Sequence, residues 1–151
     1  MPQSLSAVYL HLIFSTKNRR RFFQNRDQRA ALHAYLGGLS KTLGCPPIIT
    51  GGVEDHVHQL AELGRSIRQA DWVKELKRVS NSWLKDQSKD FALFQRQGGY
   101  ATFSVSYTDV EAVKEYIRTQ EEHHRTVSYQ DELRALLRRH EIKWDERYIW
   151  D

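Results

Sequence analysis

The sequence predicts an α+β chain of the ferredoxin-like (RRM-like) kind: a split βαβ arrangement with a four-stranded antiparallel sheet and extra helices at the C-terminal end. Three observations predict it. Apolar residues alternate between a period of two and a spacing of three to four, in the order strand, helix, strand, strand, helix, strand. Short connections carrying helix-start and helix-stop residues separate these segments. The 151 residues, 40% of them hydrophobic and only three of them proline, suit one core and a single domain spanning 1–151.

Residues 7–15 alternate Val8, Leu10, Leu12 and Phe14 with Tyr9, His11 and Ile13, the pattern of a central strand buried on both faces. From Asn25 to Leu43, Leu32, Tyr35, Leu36 and Leu39 recur at helical spacing, and Gly44 supplies a stop. Residues 48–53 and 56–63 read as a strand pair joined by Glu54-Asp55. Gly51-Gly52 interrupts the first of them, the mark of a bulge or a close backbone contact. Ser66 with Gln69 reads as a capping box for a helix carrying Ala70, Val73, Leu76 and Trp83. A strand follows over 100–106. Thr108 with Glu111 is expected to cap a helix reaching about His124, and Ser128 with Asp131 one reaching about His140. The tail WDERYIWD is aromatic and expected to dock. We find no internal repeat, low-complexity segment or linker.

Charge is nearly balanced, 23 bases against 19 acids, so net charge by itself does not establish a polyanion partner. Distribution says more: Lys17, Arg19, Arg20 and Arg21 form one basic group, and Arg65, Arg68, Lys74, Lys77 and Arg78 a second. Such runs are often simply solvated faces. No stretch approaches the roughly 20 apolar residues of a membrane span and the N-terminus lacks a signal-peptide pattern, so the expectation is a cytoplasmic protein without a membrane partner. The lone Cys45 cannot form an internal disulfide and reads as structural.

His56 and His58 flank one apolar residue on a predicted strand, so both imidazoles leave the same face about 6 to 7 Å apart. That spacing suits two ligands on one ion, although a polar sheet face carries such pairs for structural reasons too. Tyr116 and Gln120 stand four residues apart and share one helical face; Tyr116 could equally be a core aromatic beside Val113 and Ile117. His123 and His124 diverge by about 100° on a helix, so we read them as surface or DNA-contacting residues. Tyr100, Tyr107 and Tyr129 are rival nucleophiles, but none has a glutamine four residues on. Phe22, Phe23 and Trp83 could stack on bases, core packing being the favoured role for Trp83.

The stretches HLIFSTKNRR (11–20), GGVEDHVHQL (51–60), GGYATFSVS (98–106), VKEYIRTQEEHH (113–124) and DERYIW (145–150) together resemble the HUH single-tyrosine transposases of the insertion sequence 200/605 type. The resemblance implies that His56, His58 and Gln120 hold a divalent metal, Mg²⁺ or Mn²⁺, and that Tyr116 attacks a phosphodiester to leave a 5′-phosphotyrosine. It implies single-stranded, hairpin-forming DNA as partner and a homodimer whose tyrosine helix completes the other chain's site. Gln59 departs from the aliphatic residue usual after the histidine pair. For DNA contact we take Lys17, Arg19, Arg20 and Arg21, with Arg65, Lys74 and Arg78 as a second group. A domesticated relative, a replication-initiator-like nickase and a non-catalytic nucleic-acid binder are the alternatives.

Overall fold

The computed structural model describes residues 2–151. Strand β1 (Tyr9–Ser15) leads to helix α1 (Arg26–Thr42), the pair β2 (Pro47–Gly52) and β3 (His56–Glu62), helix α2 (Gln69–Gln87) and β4 (Ala101–Val105). Three helices follow: α3 (Val110–Arg118), the short α4 (Gln120–His123) and α5 (Tyr129–Arg139). The sheet order is β2-β3-β1-β4, antiparallel at every pairing, which is the predicted split βαβ arrangement.

The period of two divides the central strands between two layers. Leu10, Leu12, Phe14, Val57 and Ala61 face α1 and α2, where Leu32, Leu36, Trp72, Val73 and Leu76 complete the larger core. Ile13, Phe103 and Leu60 face the opposite way, under α3, α5 and the C-terminal tail. The same face carries His11, His56 and His58, all buried. Full burial of a Leu or Phe contributes about 1.5–3 kcal/mol, so polar residues at three central positions forgo that stabilisation.

Asn25 caps α1, its Oδ1 accepting from the backbone N–H groups of Asp27 and Gln28 at 2.9 and 3.0 Å. Ser128 caps α5 through the N–H of Asp131 at 3.1 Å. Of the three caps the sequence predicts, only the one at Ser128 forms. Helix α2 starts after Arg68 with no side-chain cap, because Gln69 donates across the layer to Thr102 Oγ1 at 2.6 Å instead of turning back. A 3₁₀ turn at Tyr107–Asp109 leads into α3 in place of a Thr108 cap. At α2 a tertiary partner wins over the local capping signal, whereas the Thr108 hydroxyl meets Ser106 within the turn at 3.0 Å.

Phe23 is buried in the α1/α2 core and Phe22 packs edge-on to Phe94 at 5.1 Å, so neither is free to stack on bases. Trp83 stacks on Tyr35 at 4.4 Å. Gln59 fits its apolar layer by donating to the Leu36 carbonyl at 3.3 Å. The tail docks as expected: Gln97 Nε2 donates to the Ile149 carbonyl at 2.7 Å, and Trp144, Ile149 and Trp150 pack on the α5 cluster.

Gly51 is the close contact that seats α3. A Cβ there would lie 2.9 Å from both Cγ2 and the carbonyl oxygen of Ile117, one residue from Tyr116. Gly51→Ala is therefore expected to lower stability by about 1–3 kcal/mol through overpacking, read as a lower denaturant midpoint at unchanged slope.

Candidate active site

The strand register builds the first half of the site. Antiparallel pairing sets Ser15 against His56 and Ile13 against His58. His11, two residues on along the same face of β1, reaches across to place its Nε2 2.8 Å from His58 Nδ1. Helices build the second half. With α3 seated on β2, the Tyr116 ring stands 5.8 Å from that of His58, and Gln120 Oε1 lies 3.3 Å from His56 Nε2. Helix α5 closes the site by inserting Glu132, whose side chain is 1% exposed.

Glu132 joins the two halves. Its Oε1 lies 2.9 Å from His58 Nε2 and 3.4 Å from His56 Nε2. Its Oε2 accepts from the Tyr116 hydroxyl and, at 3.1 Å, from Gln120 Nε2. His124 adds a third imidazole, with Nε2 2.9 Å from Gln120 Oε1 and 3.2 Å from Glu132 Oε2. His123 Nε2 also lies 3.2 Å from Glu132 Oε2, without hydrogen-bond alignment.

The surface reading of His123 and His124 is thus corrected. His124, the C-cap of α4, still donates its N–H to the Gln120 carbonyl at 3.0 Å, so it stands one helical turn beyond Gln120 and shares its inward face. Of the rival tyrosines, Tyr129 is buried against His56, its ring 4.5 Å away, while Tyr100 and Tyr107 are exposed.

Electrostatics follow from burial and partners. Burial opposes charge on His56, but hydrogen bonds to the Asp55 and Glu132 carboxylates outweigh it and push its pKa up to about 9. Burial pulls His58 down to about 4 despite Glu132. Burial, reinforced by His58, takes His11 down to about 3. For Glu132 burial is opposed by hydrogen bonds from His124, His56 and His58, which hold it well below the usual carboxylate range. Burial and the adjacent Glu132 carboxylate both push the Tyr116 phenol well above its ordinary value.

The donor chemistry fits a metal. Ligand atoms of His56, His58, His124 and Glu132 all lie within 4.8 Å of one another, with Gln120 Oε1 beside them. Each imidazole is also held from behind through Nδ1: His56 donates to Asp55 Oδ1 at 2.6 Å, His124 donates to the Val127 carbonyl at 2.7 Å, and His58 meets His11. Nδ1 partners of this kind orient a ring so that its Nε2 is presented to an ion.

The resemblance placed this site between two chains. Within the single chain described these residues lie together, Gly51 letting α3 settle on β2 and Glu132 tying Tyr116 to the histidines. The basic turn carrying Lys17, Arg19, Arg20 and Arg21 follows directly on β1, at the end of the sheet where His56 lies. Thr16 N–H donates to the carbonyl of Asp55, the partner of His56, at 2.9 Å. Arg65, Lys74 and Arg78 belong to the opposite layer and are not brought to the site. Arg78 pairs with Glu75 at 2.7 Å, and Arg65 donates to the Ser4 carbonyl at 2.5 Å.

Sequence reasoning did not single out His11 or Glu132. Glu132 had a signal: it falls on the inward stripe of α5 with Tyr129, Leu133 and Leu137, where an acid needs partners. His11 had one too, as a polar residue in a strand otherwise apolar on both faces.

The chain matches the family described as Transposase IS200 like over residues 4–120. Its fold is similar to the crystal structure of a candidate transposase from Deinococcus radiodurans R1, with a TM-score of 0.62 at 20% identity over 80% of this chain and 95% of that one. It is also similar to a REP-associated tyrosine transposase bound to a REP hairpin, with a TM-score of 0.60 at 13% identity over 84% of this chain and 74% of the other. At these identities the likeness is one of fold. Among curated proteins none matches by sequence. The family match stops at Gln120, so His124 and Glu132 lie beyond it.

Proposed function

Because the chain belongs to the IS200-like transposase family, we propose that it is a metal-dependent tyrosine transposase that cleaves and rejoins single-stranded DNA, with Tyr116 as nucleophile. One observation carries this reading: the Tyr116 hydroxyl and three imidazole Nε2 atoms converge on a single buried carboxylate, Glu132. A phenol in a merely structural core has no need of such surroundings.

His56, His58 and Gln120, with His124 and Glu132, would hold the divalent ion. When bound, it supplies Lewis-acid stabilisation of the charge that builds on the scissile phosphate. Three imidazoles in the donor set favour Mn²⁺ over the harder Mg²⁺. Tyr116 rests as a phenol whose proton is held at Glu132 Oε2. As its oxygen bonds to phosphorus, that proton passes by way of Glu132 to solvent, the bond to the 3′ oxygen breaks and that oxygen takes up a proton from water, leaving a 5′-phosphotyrosine and a free 3′-hydroxyl. A 3′-hydroxyl attacking the phosphotyrosine reverses the exchange and restores the phenol.

A homodimer belongs to this reading, the tyrosine helix serving either its own chain's histidines or the partner's. Lys17, Arg19, Arg20 and Arg21 would bind backbone phosphates entering beside His56. Arg65, Lys74 and Arg78, on the far layer, would contact only DNA that wraps the molecule. The solved hairpin complex of a protein with this fold supports a hairpin-forming partner.

The test is incubation with labelled single-stranded hairpin DNAs and Mn²⁺, followed by denaturing electrophoresis and mass spectrometry of the adduct. A covalent adduct on the peptide containing Tyr116 is expected. Its absence across varied hairpins, or its location on another residue, would overturn the reading. His11→Leu removes the support behind His58 without touching the ion, and is expected to weaken Mn²⁺ binding by about 10- to 100-fold by calorimetry.

A further inference from the structure

Between β4, α3 and α5 lies a cleft of about 390 Å³ to which the reaction above assigns no role. It shares two walls with the active site, Tyr116 and His11, the second of which meets His58 at 2.8 Å. On its other side Phe103 and His140 stack, ring centroids 4.5 Å apart with planes at 30°. His140 is exposed at the end of α5, and its Nδ1 donates to the Leu136 carbonyl at 2.9 Å, which fixes the ring. Arg139, also exposed and on the cleft wall, makes no ion pair among the described residues. The wall's carboxylate, Asp109, is already engaged by the Ser106 hydroxyl at 3.0 Å.

We propose that this cleft is a nucleotide subsite, holding one nucleotide of the DNA next to the scissile phosphate. The proposal rests on the cleavage reading and adds where the strand lies. The volume falls at the small end of ligand pockets and suits one nucleotide rather than a peptide segment. The outer face of the exposed His140 ring, backed by the buried Phe103, provides a platform on which a base can stack. Arg139 provides a free guanidinium for a phosphate, a pairing it can make with two parallel hydrogen bonds. Both lie on the wall opposite a tyrosine that must itself meet a phosphodiester, so a strand running from Tyr116 into the cleft satisfies all three groups at once.

The direct test uses the full chain and thymidine 5′-monophosphate, followed through the imidazole signals of His140 and His11 by NMR, with thymidine and deoxyribose 5-phosphate as separate arms. The nucleotide is expected to move both signals and to bind more tightly than either fragment. Loss of a stacking surface costs about 5- to 100-fold in affinity, and His140→Ala is expected to fall in that range. Ala112→Trp, which fills the cleft from an exposed position of α3, is expected to do the same without disturbing the core. Binding of deoxyribose 5-phosphate as tight as that of the nucleotide would reduce the site to a phosphate contact and overturn the proposal. So would unmoved His140 and His11 signals, or unchanged affinity in both variants.

A second readout separates this proposal from the one it rests on. With hairpin DNA, His140→Ala is expected to slow adduct formation on intact substrate but not on one abasic at the nucleotide beside the cut. If no hairpin gives an adduct in the wild type, the cleavage reading fails, and the monophosphate titration still decides the cleft. If adducts form equally in wild type, His140→Ala and Ala112→Trp, cleavage stands and the subsite falls.

Discussion

Tyr116→Phe is expected to abolish the covalent protein–DNA adduct while leaving hairpin binding within about twofold. The substitution removes one oxygen and keeps the ring, so the edge-on contacts with His58, His11 and His123 survive. Loss of a covalent nucleophile elsewhere costs about 10⁶-fold in turnover, which places residual adduct below detection. The hydroxyl's hydrogen bond to Glu132 is also lost. Glu132 keeps Gln120 and the imidazoles as partners, so the fold should lose only about 0.5–1.5 kcal/mol. An adduct surviving in this variant, measured on the same labelled hairpin, would remove Tyr116 from the mechanism. Collapse of hairpin binding would make it a structural residue.

Glu132→Ala should have the largest effect on stability. The carboxylate is buried and faces His56, His58, His124, Tyr116 and Gln120, and its desolvation cost is already met in the native fold. Removing it leaves the imidazolium of His56 with Asp55 alone and orphans the Tyr116 hydroxyl. Breaking a buried charged pair from one side costs about 3–5 kcal/mol, or about 6–20 °C in melting temperature for a chain of this size. The measurement is thermal unfolding in the presence of chelator. Glu132→Gln keeps the volume and one acceptor and should lose roughly half as much. Added Mn²⁺ should stabilise the wild type by mass action, by about 2.7 kcal/mol at a hundredfold excess over its dissociation constant, and the alanine variant much less. Equal stability of alanine variant and wild type under chelation would mean that Glu132 does not hold the two halves together.

The helix and strand order was legible because each element carries its own periodicity over many residues, and because the first strand is mostly apolar on both faces. The Gly51-Gly52 pair was legible as a close backbone contact, though the element it admits was not. Caps were legible in part: Ser128 acts as its sequence context suggests, whereas α2 starts after Arg68 and α3 out of a 3₁₀ turn, and Asn25 caps α1 where only a helix start was read. In the site, the two-residue spacing of His56 and His58 and the four-residue spacing of Tyr116 and Gln120 are local facts, and those four residues do meet. His11, His124 and Glu132 were not legible as members. His11 reaches His58 only through strand pairing across 47 residues, and Glu132 arrives on a helix whose own pattern says only that one side is buried. His124 was misread because it was weighed against its neighbour His123 and not against Gln120, four residues earlier, to which its N–H donates at 3.0 Å.

What the sequence determined by itself is therefore the set of secondary elements, the sheet faces and the two short motifs, since all of these depend on neighbours within one turn or one pleat. What only the tertiary structure decided is that Glu132 and His124 lie with these motifs, and that the basic group at Lys17, Arg19, Arg20 and Arg21 lies beside them while Arg65, Lys74 and Arg78 do not. The reason is that packing angle and layer are set by contacts between distant segments, such as Gly51 beneath Ile117, and no periodicity along the chain encodes which helix a missing side chain will admit.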